Sequence, residues 1–118
     1  MALPYDSHLL GRLRFAAIEH SATGDTVLVA AGGARKRVQL YQLFFVVDAA
    51  TIVRFKSGSV ALTGPMPLAA NGSVTLDNNR EPWLITAEAQ DLILNQTGTA
   101  LIGGVVGYYI VDCGSPGA

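Results

Sequence analysis

Turn-forming residues interrupt this chain at short, regular intervals, and this spacing constrains the fold more than any other feature. Breaks marked by glycine, asparagine, aspartate or proline fall at residues 24–25, 32–33, 48–49, 58, 64–65, 71–72, 78–79 and 98. The segments between the breaks are rich in Val, Ile, Leu, Phe and Thr, residue types that mostly favour strands. Short strands at intervals of roughly 8–12 residues are typical of a sandwich or a barrel. The pattern therefore predicts an all-β fold and leaves sandwich and barrel both open.

The length and composition predict one folded domain with apolar surface to spare. The chain has 118 residues, of which 50% are hydrophobic and 14% are charged, whereas the usual charged share is about 25%. A chain of this length buries enough surface to fold alone, and this one is too apolar for disorder. Because few charges are left to cover the surface, we expect part of it to contact partners. We assign residues 1–14 to an N-terminal arm, residues 15–112 to the β domain and residues 113–118 to a C-terminal tail.

The two longest predicted strands carry the clearest structural signals. Residues 36–47 alternate at first, but the segment from Leu43 to Val47 is apolar on both faces. A strand with one wet face should alternate throughout, so we expect this half to be covered by its own domain and by something else. We also expect residues 36–47 and 51–56 to form a hairpin through residues 48–50. In the last strand, residues 101–111, several glycines leave space for another backbone or a bulky ring.

Part of the chain resembles a recurring module in small structural proteins of tailed phages and prophages. The resemblance lies in the order and spacing of residues 55–58 (FKSG), 62–72 (LTGPMPLAANG), 83 (W), 86–95 (TAEAQDLILN) and 105–108 (VVGY). Together these segments span about half of the chain. Two departures occur: residues 88–91 stand where the module more often has a glycine-glutamate pair, and residues 77–82 are more charged than is typical.

The resemblance implies both a fold and a role. The implied fold is a jelly-roll-like antiparallel β-sandwich. The implied role is that of a virion structural protein, namely a capsid decoration (cement) protein that binds and stabilises the head shell. Such a protein would be a homotrimer on the major capsid protein, made in the bacterial host cytoplasm and located on the capsid exterior. The alternative is a tail or fibre-tip module that binds receptor glycans, with Asn78, Asn79, Arg80 and Trp83 as its exposed candidates. Neither role is enzymatic.

Leucines near the N-terminus and one basic cluster are the first candidates for partner contacts. Leu9, Leu10 and Leu13 would share one side of a short amphipathic segment, although residues 7–14 could equally be an extended arm. Arg35 and Arg37 belong to the basic cluster of the chain. That cluster is interpreted either as the charged end of a strand connection or as a contact for an acidic patch on a partner.

Aromatic residues are the second group of candidates. Trp83 either covers one end of the core or anchors an interface, since Trp is enriched at interface hot spots. The same two interpretations apply to other aromatics, and on a strand that is apolar on both faces one of each neighbouring pair should face a partner. The predicted interface residues are Leu9, Leu10, Leu13, Arg35, Arg37, Phe44, Phe45, Trp83, Tyr108 and Tyr109.

Titratable and metal-binding residues are too sparse to indicate catalysis or a metal site. The two histidines and Cys113 match no zinc spacing. His20, Ser21 and Asp25 would form a triad only if they converged, and neighbours on a strand point to opposite faces. The oxygen-rich residues 77–81 lack the spacing of a calcium loop. We therefore predict no catalytic residue, no metal and no cofactor.

Charge and cysteine content argue against several classes of partner. The formal net charge is −1 and the isoelectric point is about 6.0, so neither nucleic acid nor a membrane surface is an expected partner. The longest apolar runs are far shorter than the ~20 residues of a membrane-spanning helix. A single cysteine allows no disulfide within the chain, and no secretory signal is visible at the N-terminus.

Overall fold

The computed structural model describes residues 13–77 and 81–112, and this part of the chain contains ten strands. The predicted arm residues 1–12 and the tail from residue 113 lie outside the described residues. The strands are β1 (Arg14–His20), β2 (Gly24–Val29), β3 (Lys36–Val47), β4 (Thr51–Ser57), β5 (Val60–Ala61), β6 (Met66–Leu68), β7 (Ser73–Asp77), β8 (Leu84–Ile85), β9 (Leu92–Gln96) and β10 (Ile102–Asp112).

Two antiparallel sheets of five strands each form a sandwich. Sheet A has the order β1-β10-β3-β7, with β8 also paired to β3. Sheet B has the order β2-β9-β4-β5, with β6 also paired to β4. The chain passes back and forth between the sheets, and its last strand returns to lie between β1 and β3. This is the strand order of a jelly roll, so the predicted fold is confirmed.

The core lies between the sheets and is filled from both. Strand β3 contributes Val38, Leu40, Leu43, Phe45 and Val47, all buried. The ring of Phe45 meets the ring of Phe55 from sheet B edge-on, with 6.2 Å between the centroids. Leu40 and Leu43 both face inward although they are three residues apart, a spacing that places residues on opposite faces of a regular strand. They do so because the β3–β10 register shifts by one residue between Gly107 and Tyr108.

The predicted hairpin between residues 36–47 and 51–56 is wrong. Strand β3 pairs with β10, β7 and β8 in sheet A, whereas β4 pairs with β9, β5 and β6 in sheet B. Residues 48–50 therefore cross from one sheet to the other. Asp48 holds this crossing in place, because its carboxylate accepts a hydrogen bond from the Leu101 amide at 2.8 Å and its own amide donates to the Leu101 carbonyl at 3.1 Å.

Two glycines of β10 confirm the predicted close approaches. A Cβ on Gly104 would lie 2.6 Å from the Phe45 Cα and would also collide with the Phe44 carbonyl oxygen. A Cβ on Gly107 would lie 3.0 Å from the ring of Phe15 and 3.2 Å from the Gln42 side chain. The first glycine lets the β3 backbone come close, and the second lets an aromatic ring lie across β10.

A buried amide joins sheet B to two connecting segments. The Gln96 side chain accepts a hydrogen bond from the Thr51 hydroxyl at 3.0 Å. Its Nε2 donates to the Ala100 carbonyl at 3.0 Å and to the Ala22 carbonyl at 3.2 Å. Since a buried amide is tolerated only when its hydrogen bonds are made, these contacts fix β9 relative to the chain segments before β2 and β10.

The half-buried ring of His20, at the end of β1, makes stability depend on pH. The Nε2 atom of His20 is buried and has no partner in the described part of the chain. Burial lowers the pKa of His20 below its ordinary value of 6.5, because the charged ring loses solvation. The unfolded state then binds the proton more readily than the folded state, so acidification favours unfolding.

We expect the free energy of unfolding to begin falling as the pH drops through 6.5 and to stop falling below the lowered folded pKa of His20. Chemical denaturation from about pH 7.5 to about pH 5 measures this step. A His20→Gln variant should lack it. The pKa of Asp25 is lowered from 3.8, chiefly by its hydrogen bond from Asn95, so its own stability loss occurs at lower pH. If the free energy of unfolding changed equally with pH in the wild type and in the variant, the assignment to His20 would be contradicted.

Candidate interaction surface

The outer face of sheet A exposes apolar side chains on neighbouring strands. The register places Ala17 of β1, Val105 of β10 and Phe44 of β3 in one row across the sheet. Phe15 begins the next row, beside Gly107. Phe15 is 61% exposed, Phe44 44% and Val105 38%, and Ala17 is also exposed. We call these four residues the apolar outer face.

The apolar outer face is not flat, because Gly107 has no side chain to fill the space between Phe15 and Gln42. A hollow of about 210 Å³ lies there, lined among others by Phe15, Phe44 and Val105. Farther along the same side, the rings of Tyr41 and Tyr109 meet edge-on with 5.1 Å between centroids. Aromatic rings beside a shallow hollow form the kind of surface into which a partner's apolar side chain can pack.

The outer face of sheet B carries a row of charged and amide side chains, unlike that of sheet A. Its register puts Asp25, Asn95 and Arg54 in one row across β2, β9 and β4. The Asp25 carboxylate accepts hydrogen bonds from Asn95 at 2.7 Å and from the Lys56 ammonium at 2.9 Å. These two contacts, with the Asn95 bond the larger, lower the pKa of Asp25.

Exposed apolar residues on sheet B are therefore separated from one another. Val27 shares a row with Ile93 and Lys56. Ile52 lies on β4 on the far side of the Asp25 row and pairs with Pro67. Because a row of charged and amide side chains divides them, Val27 and Ile52 form no continuous apolar surface comparable with that of sheet A.

The predicted aromatic interface residues fall into different places. Phe44 points outward, but Phe45 is 0% exposed and belongs to the core, so its prediction as an interface residue is wrong. Neighbours on a strand face opposite sides of the sheet, and here Phe45 faces the core. Tyr108 is half-buried, pairs with Leu40 and packs against the core. Tyr109 is half-buried against Tyr41 on the outer side, and Trp83 is 46% exposed.

Of the remaining predicted interface residues, Leu13, Arg35 and Arg37 do not belong to the apolar outer face. Leu9 and Leu10 lie outside the described residues, and Leu13 is half-buried just before β1. Arg35 is exposed in the connection before β3, where its φ is 65°. Arg37 is half-buried at the start of β3. The basic cluster is thus at the opposite end of β3 from Phe44.

Two main contributors to the apolar outer face, Phe15 and Val105, were not predicted from the sequence. Val105 lies in the predicted last strand and Phe15 at the start of the predicted β domain, yet neither was selected as an interface residue. Their significance depends on the pairing of β1 with β10 and of β10 with β3, which brings residues about ninety positions apart in sequence into adjacent rows. Glycine at position 107, opposite an aromatic residue, was the available signal.

Among residues 13–77 and 81–112, no group of three or more His, Cys, Asp or Glu side chains is arranged to hold a metal ion. In the same ranges, no helix has the length and apolar character needed to cross a membrane.

Comparisons with known proteins identify no family. No protein-family model matches the chain, and no curated protein matches it significantly. One solved structure that matches is of Bacillus endospore appendages, described as a novel family of disulfide-linked pili. It is 13% identical, with a TM-score of 0.42, and the match covers 87% of this chain and 88% of that one. The jelly-roll assignment therefore rests on the strand order of this protein itself.

Proposed function

We propose that this protein is a non-enzymatic structural component of a virion, of the capsid decoration type. It associates with copies of itself as a homotrimer and binds the major capsid protein on the exterior of the head. The observation that carries the proposal is the apolar outer face of sheet A. Its residues are exposed in the single chain, and an exposed row of large apolar side chains is characteristic of a contact site.

The arrangement of the apolar outer face suits association between rigid partners. Its residues lie on three adjacent strands at the centre and edge of one sheet, so their positions are fixed by backbone hydrogen bonds. Little ordering is then needed on binding, which lowers its entropic cost. On a shell of repeated subunits, modest contacts of this kind add up through multivalency. The resemblance of residues 55–111 to phage structural modules supports the virion as the setting.

A charged substitution in the apolar outer face is expected to abolish self-association. In Phe44→Asp, the carboxylate would have to be buried without a partner, which weakens an interface by at least about 2 kcal/mol, or roughly 30-fold. The fold should survive because Phe44 is already exposed in the single chain. Sedimentation equilibrium of the wild type should give a trimer, and the same measurement on the variant should give a monomer.

Val27→Asp is the matched control, since Val27 is also a well-exposed apolar strand residue but lies on the outer face of sheet B. It should remain trimeric. A wild type that stays monomeric at high concentration, or equal loss of association in both variants, would contradict this interface.

Binding to mature capsids tests the virion role separately. The wild type should co-sediment with purified capsids at micromolar concentration, and Phe44→Asp should do so more weakly. Absence of binding would count against the decoration role. Antibody labelling of the tail instead of the head would favour the glycan-binding alternative, for which Trp83 offers an exposed ring.

A further inference from the structure

A cleft opens between the sheet edges, away from the apolar outer face. On one side it is bounded by β8 and the segment that follows it, and on the other by the end of β4 and by β5. Its volume is about 710 Å³. Val60 and Ile85, both exposed, form apolar walls. Arg37 reaches the cleft from β3.

Arg37 brings an unused positive charge to this cleft. Its Nε atom is buried and has no hydrogen-bond partner. Within residues 13–77 and 81–112, no ion pair involves its guanidinium. A buried donor without an acceptor is costly, and for a charged group the cost is greater. Because Arg37 as a whole is only half-buried, an anion from outside the chain can pair with the guanidinium and offset that cost.

Two buried hydroxyls of the cleft also have donor capacity left. Ser57 Oγ accepts a hydrogen bond from the Ala87 amide at 2.8 Å. Thr86 Oγ1 accepts one from the Val38 amide at 2.9 Å. Ser57 is 4% exposed and Thr86 is 1% exposed. Each oxygen already accepts one hydrogen bond from the backbone, and each hydroxyl still has its proton to donate.

The lining of the cleft therefore favours an anionic ligand. Arg37, Ser57 and Thr86 all offer donors, and among the described residues that line the cleft there is no aspartate or glutamate. Gln90 adds a side-chain amide, held close against Gly58, whose φ is 57°. A single cation beside apolar walls matches a singly charged anion on an apolar body better than a doubly charged phosphate.

We propose that this cleft binds a carboxylate carried between apolar groups, such as an acidic side chain of a partner protein in extended form. Arg37 pairs with the carboxylate, the Ser57 and Thr86 hydroxyls donate to it, and Val60 and Ile85 contact the flanking apolar groups. The cleft shares no residue with the apolar outer face, so this proposal does not depend on the self-association proposed above.

The test uses the isolated wild-type protein and blocked tripeptides. Acetyl-Val-Glu-Val-amide is titrated in the millimolar range while amide signals and the Arg37 Nε signal are followed by NMR. Signals of Arg37, Ser57 and Thr86 should shift and saturate. Acetyl-Val-Gln-Val-amide should bind at least about tenfold more weakly, since a charge-assisted pair is lost. Acetyl-Val-Gln-Val with a free C-terminal carboxylate shows whether a chain terminus can supply the same group.

Three variants make the result specific. Arg37→Gln should weaken binding of the Glu peptide about tenfold or more, and Arg37→Lys should restore part of the affinity through charge alone. Arg54→Gln removes the same charge from the outer face of sheet B and should change nothing. Equal binding of the Glu and Gln peptides, shifts outside the cleft, no shifts at all, or equal effects of Arg37→Gln and Arg54→Gln would each overturn the proposal.

Discussion

Replacing Gln96 with leucine is expected to lower the free energy of unfolding by about 3 kcal/mol, because two carbonyl oxygens lose their donor at roughly 1–3 kcal/mol each. Those oxygens belong to Ala22 and Ala100, and the Thr51 hydroxyl also loses its acceptor. The added apolar side chain offsets only part of this loss. Since domains of this size are stable by about 5–15 kcal/mol, the change is a large fraction of the total.

Asn95→Leu is the matched control for the Gln96 prediction. Asn95 precedes Gln96 on β9 but faces outward, where its amide donates to the exposed Asp25 carboxylate. Its loss should change stability by less than about 1 kcal/mol. Urea denaturation of both variants measures the difference in the free energy of unfolding. An unchanged dependence of that free energy on urea concentration shows that wild type and variants expose the same surface on unfolding. If both variants were equally stable, the buried amide would not have the role assigned to it.

The strand segments could be predicted from sequence because turn residues and β-formers alternate so regularly. The bounds of β3 agree with the predicted residues 36–47. Met66–Leu68 contains Pro67 and lies at an edge of sheet B, where a missing amide donor is tolerated. Inward Phe55 and outward Lys56 on β4 follow from simple alternation. Local patterns determine these features, and so one sequence suffices for them.

The sheet assignment of each strand could not be predicted in the same way. A three-residue connection suits a hairpin, yet residues 48–50 also suffice to cross the ~10 Å between packed sheets. Only the partners of β3 and β4 distinguish the two cases, and these partners lie far away in sequence. The apolar outer face could not be predicted for the same reason, because Phe15, Phe44 and Val105 become neighbours only through the order of strands in the sheet.

The orientation of Phe44 and Phe45 shows a narrower limit. Their strand reads as apolar on both faces, so alternation predicted one inward ring and one outward ring without saying which was which. The bulge between β3 and β10 shifts the alternation by one residue after Leu40, and this places Leu43 and Phe45 inward. These residues show no clear sequence signature of a bulge. The sequence therefore does not predict which residues of β3 after Leu40 face the core.

Replacing Gly104 with alanine is expected to destabilise the fold by about 3 kcal/mol or more, at the upper end of the usual cost of overpacking. The new methyl group would meet the Phe44 carbonyl and the Phe45 Cα, which are backbone atoms of the neighbouring central strand. A flexible side chain could move aside, but β3 cannot retreat without breaking its hydrogen bonds to β10. The melting temperature should fall by on the order of 10 °C.

Gly103→Ala is the control for Gly104→Ala because it adds the same methyl group one residue earlier on the opposite face. There the nearest atom, the Ile18 carbonyl oxygen, lies 3.9 Å away, which is ordinary contact. Its stability should match or slightly exceed that of the wild type, since alanine restricts the unfolded chain more than glycine. Thermal unfolding of the two variants separates these outcomes. Similar melting temperatures for both would mean that β3 and β10 have more room between them than the contacts at Gly104 indicate, and the close approach of the two strands would then not explain the glycine at this position.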